Sequence, residues 1–246
     1  MNKRFQILLL LLMIGFHGFS QRKAMEFHAM LTPEIDLSDS MKENYVRRDY
    51  LNDKLEKNTG LDSTDKAELD SLWLWLGEET SIYDIIGQGC SWYCSGGNDS
   101  IYASSSLDSN KGVGYSALEA NDLLYNTAWV EGAEGDGTGE YLDYVFANNS
   151  ARITEIKIAN GYLKSEKAWR ENNRVKKIKF YVNGKVYGIL NLQDVRASQT
   201  FKIGILGQNM DGSKLLLRFE IMEVYPGTKN DDTAITEIYF DGIDVH

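Results

Sequence analysis

Seven short runs of apolar residues between positions 141 and 240 dominate the hydrophobic pattern of the chain. The runs are continuous or alternate every second residue, and they occupy residues 141–146, 152–158, 175–182, 185–192, 200–203, 215–224 and 235–240. Alternation with period two is typical of strands that bury one face. Because the runs are closely spaced without intervening helices, they predict an all-β, two-sheet jelly-roll sandwich rather than an α/β fold.

One pair of these runs is joined by a recognisable turn. Asn183 and Gly184 separate the runs at 175–182 and 185–192, and this dipeptide strongly favours a two-residue hairpin. We therefore predict that the two runs are antiparallel neighbours.

The pattern before residue 77 has the helical period instead. Met41, Tyr45, Leu51 and Leu55 predict one helix, and a second contains Leu69, Leu72, Trp73 and Leu76. Residues 58–60 separate the helices, and residues 63–65 (Ser-Thr-Asp) can cap the second. The apolar cluster at residues 73–76 is predicted to pack rather than to stack on a sugar.

Glycine content divides the chain. Of its 22 glycines, 18 lie at or after Gly87, so we place a domain boundary there. The predicted organisation is a signal peptide at residues 1–20, a helical N-terminal segment at 21–86 and a β-sandwich domain at 87–246.

The first twenty residues have the export pattern. Lys3 and Arg4 precede an apolar run at residues 7–16, which is too short to cross a bilayer, and cleavage is predicted near Ser20. We expect an exported bacterial protein, periplasmic or secreted, without membrane insertion after cleavage.

Charge narrows the range of partners. The formal net charge is −10, and removal of Lys3 and Arg4 with the signal peptide makes it more negative. Such a surface repels phosphate backbones, so nucleic acid is not an expected partner. A neutral sugar or a divalent cation is compatible with it.

Catalytic motifs are scarce. After the predicted cleavage the chain keeps His28 and His246, both near its ends, and it has no nucleophile elbow, zinc-protease motif or phosphate loop. We predict that the protein is not an enzyme and needs no organic cofactor. A carboxylate-dependent enzyme remains an alternative, because acidic residues are abundant.

The two cysteines are four positions apart. Cys90 and Cys94 are flanked by glycines that permit a tight turn, and export makes a disulfide between them plausible. The alternative is a pair of free, half-buried thiols.

A series of short strings in the second part of the chain resembles the NADase-type glycan-binding domain, a discoidin-like module with a galactose-binding-like fold. The strings share the family's order over about 150 residues; they occupy residues 103–107, 126–132, 137–140, 158–162, 171–174, 225–227 and 231–238. The resemblance implies a non-catalytic module that serves binding and delivery. Nothing before Cys90 is large enough for a catalytic domain, so enzymatic activity is not expected to accompany it.

A narrower resemblance, to discoidin-like sugar-binding modules, implies a structural calcium site. The matching residues are Asp122, Thr127 and Glu237, and a loop carbonyl such as that of Glu119 could add a ligand, since calcium takes six to eight oxygens. The alternative makes Asp122 a turn residue and Glu237 a solvated strand acid.

Sugar binding needs an exposed aromatic face flanked by polar groups. Residues of this chemistry in or beside predicted loops are Tyr162, Trp169, Asn173, Arg174 and Tyr225. Arg174 is the preferred ligand contact. Alternatively, Asn173 and Arg174 support the loop, with Glu131 or Glu140 as salt-bridge partners of Arg174, and Trp169 covers an edge. Trp129 fits the core equally well.

Together these observations predict a carbohydrate-binding module whose partner is a glycan or glycoconjugate. The alternative is an envelope or secreted protein-interaction module that keeps the fold without a sugar site.

Overall fold

The computed structural model describes residues 24–57, 60–77, 79, 81–85, 92–94, 96–110 and 112–244. Eleven strands form within this part of the chain: β1 (Met25–His28), β2 (Met30–Glu34), β3 (Ser100–Ala103), β4 (Trp129–Val130), β5 (Tyr141–Phe146), β6 (Ile153–Asn160), β7 (Asn173–Val182), β8 (Lys185–Asn191), β9 (Ala197–Leu206), β10 (Leu215–Tyr225) and β11 (Thr233–Gly242). Three α-helices accompany them: α1 (Asp39–Glu56), α2 (Ser63–Leu76) and α3 (Glu166–Glu171). The predicted signal peptide lies outside the described residues.

The strands form a jelly-roll β-sandwich, as predicted. Hydrogen bonds connect them in the order β2-β9-β6-β11-β7-β10-β5-β3, with β1 beside β8, β8 beside β7 and β4 beside β11. The step from β11 to β7 is only a short parallel contact of Thr233 and Ala234 with Asn173 and Arg174. This step divides the path into two layers whose apolar faces meet.

An aromatic cluster fills the space between the layers. The rings of Tyr144, Phe146, Phe219 and Phe240 lie 5.0–6.3 Å from one another in edge or tilted contacts, the geometry that aromatic pairs prefer. All four side chains are almost fully buried. The alternating apolar residues of the predicted strands are therefore the core of the sandwich.

All seven predicted runs are strands, β5 to β11, and the Asn183-Gly184 turn is confirmed. Asn183 and Gly184 both have positive φ, 48° and 74°, as a two-residue hairpin turn requires, and β7 and β8 pair antiparallel on either side. One difference is the short helix α3, which lies between β6 and β7 where no helix was expected.

Strands β1 and β2 were not predicted, because this segment was expected to be helical. β1 pairs in parallel with β8, and β2 pairs antiparallel with β9. The ring of Phe27 in β1 stacks on that of Tyr187, with the ring centres 6.0 Å apart. Glycine at position 188 makes room for the Phe27 ring, because a Cβ there would collide with it. The N-terminal strands therefore extend both layers of the sandwich.

Helices α1 and α2 confirm the predicted helical pair. They share a small core of Leu51, Leu69, Leu72 and Leu76. The cap of α2 is Asp62 rather than residues 63–65, since its carboxylate accepts the N–H groups of Thr64 and Asp65.

The expected packing of residues 73–76 is only partly correct. Leu76 is buried, but Leu74 is 90% exposed and Trp75 61% exposed. None of the helices among the described residues is both long and apolar enough to span a membrane.

Candidate functional site

Four of the five predicted sugar-contact residues lie near one end of the sandwich. Trp169 is on α3, Asn173 and Arg174 begin β7, and Tyr225 ends β10 opposite Arg174. Tyr162 follows β6 and is buried against Tyr115, with the two rings edge to face at 6.3 Å.

Arg174 lies beneath this end, with its hydrogen bonds directed into the protein. Its guanidinium forms a two-point ion pair with Asp194, at 3.0 Å from Nε and 2.8 Å from Nη2, and Nη1 donates to the carbonyls of Asn172 and Pro226 at 3.0 Å each. The residue is 7% exposed. The prediction that Glu131 or Glu140 pairs with Arg174 is wrong, because Asp194 is the partner.

Asn173 joins β7 to the loop at residues 226–232. Its Nδ2 donates to the carbonyl of Asp231 at 2.5 Å, and its Oδ1 accepts the N–H of Gly227 at 2.6 Å. These bonds favour the predicted alternative, in which Asn173 and Arg174 support the loop.

Trp169 belongs to a cavity. Its half-buried indole stacks on the Arg174 guanidinium at 4.7 Å, and Nε1 donates to the carbonyl of Asn160 at 3.0 Å. One side of the ring lines a cavity of about 420 Å³, within the usual size range of ligand sites. We call this space the Trp169 cavity.

The remaining walls of the Trp169 cavity come from residues that sequence analysis did not single out. They are Leu31, Thr32 and Glu34 of β2, Glu166 and Arg170 of α3, and Asp194, Val195, Arg196 and Ala197 at the start of β9. Apolar residues at 25, 27 and 29 alternate with period two across β1, but Met30 and Pro33 interrupt the pattern in β2, so local sequence contains little signal for this wall.

Arg196 differs from the other arginines of the Trp169 cavity. Its buried Nε has no hydrogen-bond partner among the described residues. Arg170, by contrast, is paired with Glu166 at 2.7 Å, and Arg174 is fully engaged behind Trp169. The wall of the Trp169 cavity thus combines a half-buried aromatic ring with Arg196, whose buried Nε lacks a partner among the described residues.

Tyr225 lies apart from the Trp169 cavity. Its hydroxyl donates to the carbonyl of Leu192 at 3.1 Å, and its ring lines a separate cavity of about 340 Å³ beside Lys176 and Asn191. Trp129 is a core residue, fully buried, with Nε1 donating to Ser105 at 2.9 Å.

The predicted calcium residues meet where the loop at 119–127 crosses β11. Asp122 accepts the Thr127 hydroxyl at 2.9 Å, and Glu237 accepts the N–H of Leu123 through Oε2 at 2.9 Å. Glu237 is fully buried, so the alternative of a solvated strand acid is wrong. The Glu119 side chain accepts the Ser116 hydroxyl, and the role of its carbonyl as a ligand stays a prediction.

This loop leaves oxygen atoms without partners. Among the described residues, Oε1 of Glu237 and Oδ1 of Asn121 are buried and accept no hydrogen bond. Burial raises the pKa of Glu237 well above its usual range; the bond from Leu123 opposes this rise and the charge of Asp122 adds to it. Burial also raises the pKa of Asp122.

These oxygens fit a hard cation. Calcium accepts carboxylate, amide and hydroxyl oxygens, and a positive ion would remove the penalty of a buried, unpaired carboxylate. Within the described ranges, however, no group of three or more acidic, histidine or cysteine side chains converges. The side chains available in this loop and on β11 are thus Asp122, Glu237, Thr127, Asn121 and Asn126, whose buried Oδ1 also has no partner among the described residues.

The remaining predicted features are not tested by the fold. Cys90 and His246 lie outside the described residues, so the Cys90–Cys94 disulfide stays a prediction. His28 is part of β1 and lies beside the cavity lined by Tyr225.

Similar solved structures are carbohydrate-binding modules of Clostridium perfringens. The CBM32-1 and CBM32-2 domains of ZmpB have 11% identity and a TM-score of 0.42, with 59% of this chain and 34% of that chain covered. CpGH89CBM32-5, solved with GalNAc-β-1,3-galactose, has 16% identity and a TM-score of 0.42, with 58% and 94% covered. The family 32 module of NanJ, solved with galactose, has 13% identity and a TM-score of 0.39, with 57% and 91% covered. This chain therefore spans about a third of the ZmpB fragment.

No curated protein matches the chain. Residues 92–241 match the family described as the NAD glycohydrolase translocation F5/8 type C domain. The match runs from Trp92 to Asp241, near the end of β11, and covers more than half of the chain. The protein therefore belongs to the NAD glycohydrolase translocation F5/8 type C domain family.

Proposed function

We propose that this protein is an exported, non-catalytic glycan-binding module that takes a neutral sugar in the Trp169 cavity. One observation carries the proposal: the half-buried indole of Trp169 lines the same cavity of about 420 Å³ as Arg196, whose buried Nε has no hydrogen-bond partner among the described residues. Family membership supports a binding role, and the export pattern of residues 1–20 supports an extracytoplasmic one.

The chemistry of the Trp169 cavity suits a sugar ring. A pyranose offers C–H groups that stack on an indole and hydroxyls that both donate and accept hydrogen bonds. Arg196 supplies donors, and the carboxylates of Glu34 and Asp194 supply acceptors. The ion pair between Arg174 and Asp194, with the stacked Arg174 guanidinium, holds Trp169 in place behind the sugar.

Charge favours a neutral ligand. The cavity wall contains the carboxylates Glu34, Glu166 and Asp194 and the cations Arg170 and Arg196, while Arg174 lies directly behind. Three positive charges balance three negative ones. Neither an acidic nor a basic sugar would therefore gain from the net charge of this site.

We further propose that Asp122, Thr127 and Glu237 hold a structural calcium ion, with the Asn121 side chain as a further oxygen donor. The support is the pair of buried, unpartnered oxygens on Glu237 and Asn121. When bound, calcium would neutralise the buried charge and fix the loop at 119–127 to β11. The ion takes no part in sugar recognition in this proposal.

A glycan array with the full chain after signal cleavage tests the sugar site. We expect binding of a neutral sugar by the wild type and by Trp75→Ala, which removes an exposed indole on α2. Trp169→Ala should weaken that binding by about tenfold or more, the loss expected for one stacking partner with its hydrogen-bonded surroundings. The array is run with calcium and again with a chelator.

Each outcome has a distinct meaning. Silence of the wild type on a broad array would refute glycan binding. Equal binding by Trp169→Ala and Trp75→Ala would place the sugar outside the Trp169 cavity. Binding that persists in the chelator is compatible with a calcium ion that is purely structural, whereas its loss would make the ion necessary for the site.

A further inference from the structure

A groove runs between the helical pair and the sandwich, separate from the Trp169 cavity except where Thr32 and Glu34 of β2 border both. Tyr45 of α1 and Trp75 of α2 line one side, and Tyr125 and Tyr239 of the sandwich line the other. Its volume is about 670 Å³, within the range of ligand sites, about 300–1,000 Å³. We call it the helix–sandwich groove.

The groove exists because the helical pair is joined to the sandwich through a short segment. The N–H of Tyr125 donates to Tyr83 at 2.8 Å, and that of Ile85 donates to Leu123 at 3.0 Å. The helices bury their own leucines against each other. The side of α2 that carries Trp75 is therefore available above the sandwich.

Charge in the helix–sandwich groove has one sign. Its described lining includes four carboxylates, Glu34, Asp36, Glu79 and Asp84, and no lysine or arginine. Arg48 lies behind the wall, 3% exposed, and its guanidinium is bonded to Asp49 and to the Gly77 carbonyl.

The carboxylates act on the aromatic wall of the groove. Burial raises the pKa of the Tyr45 hydroxyl, the charges of Glu79 and Asp84 add to this rise, and Arg48 opposes it. The Arg48 guanidinium already lies over the Tyr45 ring at 5.0 Å, so the exposed ring of the groove is that of Trp75. Negative potential beside an exposed ring is the environment that binds an organic cation, through ion pairing and cation–π contact together.

Apolar surface at the mouth of the groove adds to this chemistry. Leu74 is 90% exposed and Trp75 is 61% exposed, although Leu76 at the end of the same helix is buried. Exposed apolar residues that border a groove often mark an interaction site. A fitting ligand therefore carries apolar side chains as well as positive charge.

We infer that the helix–sandwich groove binds an apolar peptide segment of a partner protein that carries lysine or arginine side chains. The acidic lining selects the cationic side chains, and Trp75 with Tyr45 contacts their apolar neighbours. This site differs from the Trp169 cavity, which has charges of both signs, although Glu34 borders both.

Fluorescence anisotropy with two labelled hexapeptides tests the inference on the full chain after signal cleavage. One peptide alternates lysine and leucine, and the other has glutamate in place of lysine. We expect the lysine peptide to bind at least about tenfold more tightly, and its affinity to fall with added salt. Trp75→Ala and the double variant Asp36→Asn/Glu79→Gln should each weaken it about tenfold.

A matched control separates the groove from general attraction to an acidic protein. The double variant Asp108→Asn/Glu134→Gln removes two exposed charges elsewhere and should bind the lysine peptide like the wild type. Equal weakening by the two double variants would overturn the inference, as would equal affinity for both peptides or no binding of the lysine peptide. Asp36→Asn keeps the side-chain oxygen that accepts the Ser38 N–H. Weaker peptide binding by the double variant is therefore not expected to result from misfolding.

Discussion

Two polar clusters, one around Arg174 and one around Glu237, contain similar groups but differ in how completely these are satisfied. Arg174 makes four hydrogen bonds, to Asp194 and to two carbonyls, while lying 7% exposed. Glu237, fully buried, accepts one bond from Leu123 through Oε2 and none through Oε1 among the described residues. Nε, Nη1 and Nη2 of Arg174 all have hydrogen-bond partners, whereas Glu237 keeps a buried carboxylate oxygen without one among the described residues.

The difference teaches that residue type does not reveal which polar group is available to a ligand. Arg174 and Arg196 are chemically identical and both adjoin Trp169 or its cavity, yet only Arg196 has a buried Nε without a partner within the described chain. A buried polar atom left unpaired is unfavourable by about 1–3 kcal/mol, so such atoms point to a ligand, an ion or water. This contrast supports our proposal that Arg174 has a structural role, whereas Arg196 and Glu237 take part in binding.

Arg174→Ala should give the largest loss of stability, because it removes all four hydrogen bonds of the Arg174 guanidinium. The carbonyls of Asn172 and Pro226 lose their donor, and Trp169 loses the cation it stacks on. We expect a loss of about 3 kcal/mol in the free energy of unfolding, measured by urea denaturation, as is common when one partner of a largely buried ion pair is removed.

Arg170→Ala is the control for that change. Arg170 also pairs with a carboxylate, Glu166, but both side chains are at least 60% exposed, so its removal should change stability by less than about 0.5 kcal/mol. A similar loss in both variants would show that the Arg174 cluster is not structurally special.

Calcium should produce the next largest change in stability, because in the proposed site it would bind the unpartnered oxygen of Glu237. At a concentration one hundred times its Kd, a ligand that binds only the folded state adds about 2.7 kcal/mol. For a chain of this size that corresponds to roughly 5–10 °C in Tm. We expect calcium to raise Tm by this amount and a chelator to reverse it.

Glu237→Gln should abolish the calcium response, since the amide keeps the bond from Leu123 but lacks the charge. Glu131→Gln is the matched control: Glu131 is equally buried, but its two oxygens accept the N–H groups of Thr233 and Ala133. It should retain the full calcium shift. A shift that survives in Glu237→Gln would place the ion elsewhere.

Much of the sandwich could be predicted from local sequence. The alternation in β5–β11 and the Asn183-Gly184 turn act over a few residues, so they are visible in the sequence itself. Strands β1 and β2 were missed because their structure depends on distant partners: β2 is wholly exposed and takes its conformation from pairing with β9, more than 160 positions later.

The candidate sites show the same limit. Residue chemistry selected Trp169, which the fold places at a cavity. The resemblance to discoidin-like sugar-binding modules selected Asp122 and Glu237, and the fold brings these two residues together at a loop with unpartnered oxygens. Residue chemistry could not distinguish Arg174 from Arg196. The hydrogen-bond partners of Arg174 are Asp194 and the carbonyl of Pro226, 52 positions later in the chain. The surroundings of Arg196 depend on the fold of β2. The hydrogen bonding of Glu237 likewise depends on the loop that contains Leu123, 114 positions earlier in the chain.

Glu131→Gln should cause a smaller loss of stability that depends on pH. It tests a carboxylate whose two oxygens both accept hydrogen bonds, in contrast to Glu237. An amide can accept one of the two N–H groups but meets the other with its own NH₂, so we expect a loss of about 1–2 kcal/mol. Burial raises the pKa of Glu131, against the opposing bonds from Thr233 and Ala133. Glu131 therefore stays protonated to higher pH in the folded state than in the unfolded state.

The sign of this pH dependence follows from linkage. The contribution of Glu131 is complete below the unfolded pKa, about 4.5, and is lost as pH rises through the folded value. The stability difference between wild type and Glu131→Gln should therefore shrink from pH 4 to pH 7.5. A difference that is constant or grows over that range in urea titrations would contradict the assignment.

Asp244→Asn should give the smallest effect, with the opposite pH dependence. Asp244 accepts two bonds from the guanidinium of Arg152, at 2.6 and 2.8 Å, and these bonds lower its pKa. Its contribution is present above the ordinary pKa of an aspartate and is lost as pH falls through the lowered value. The wild type should therefore exceed Asp244→Asn in stability at pH 7, by a small margin because the pair is about one-third exposed, and the two should converge near pH 2. If the gap widens in acid, the pair with Arg152 is not what lowers the pKa of Asp244.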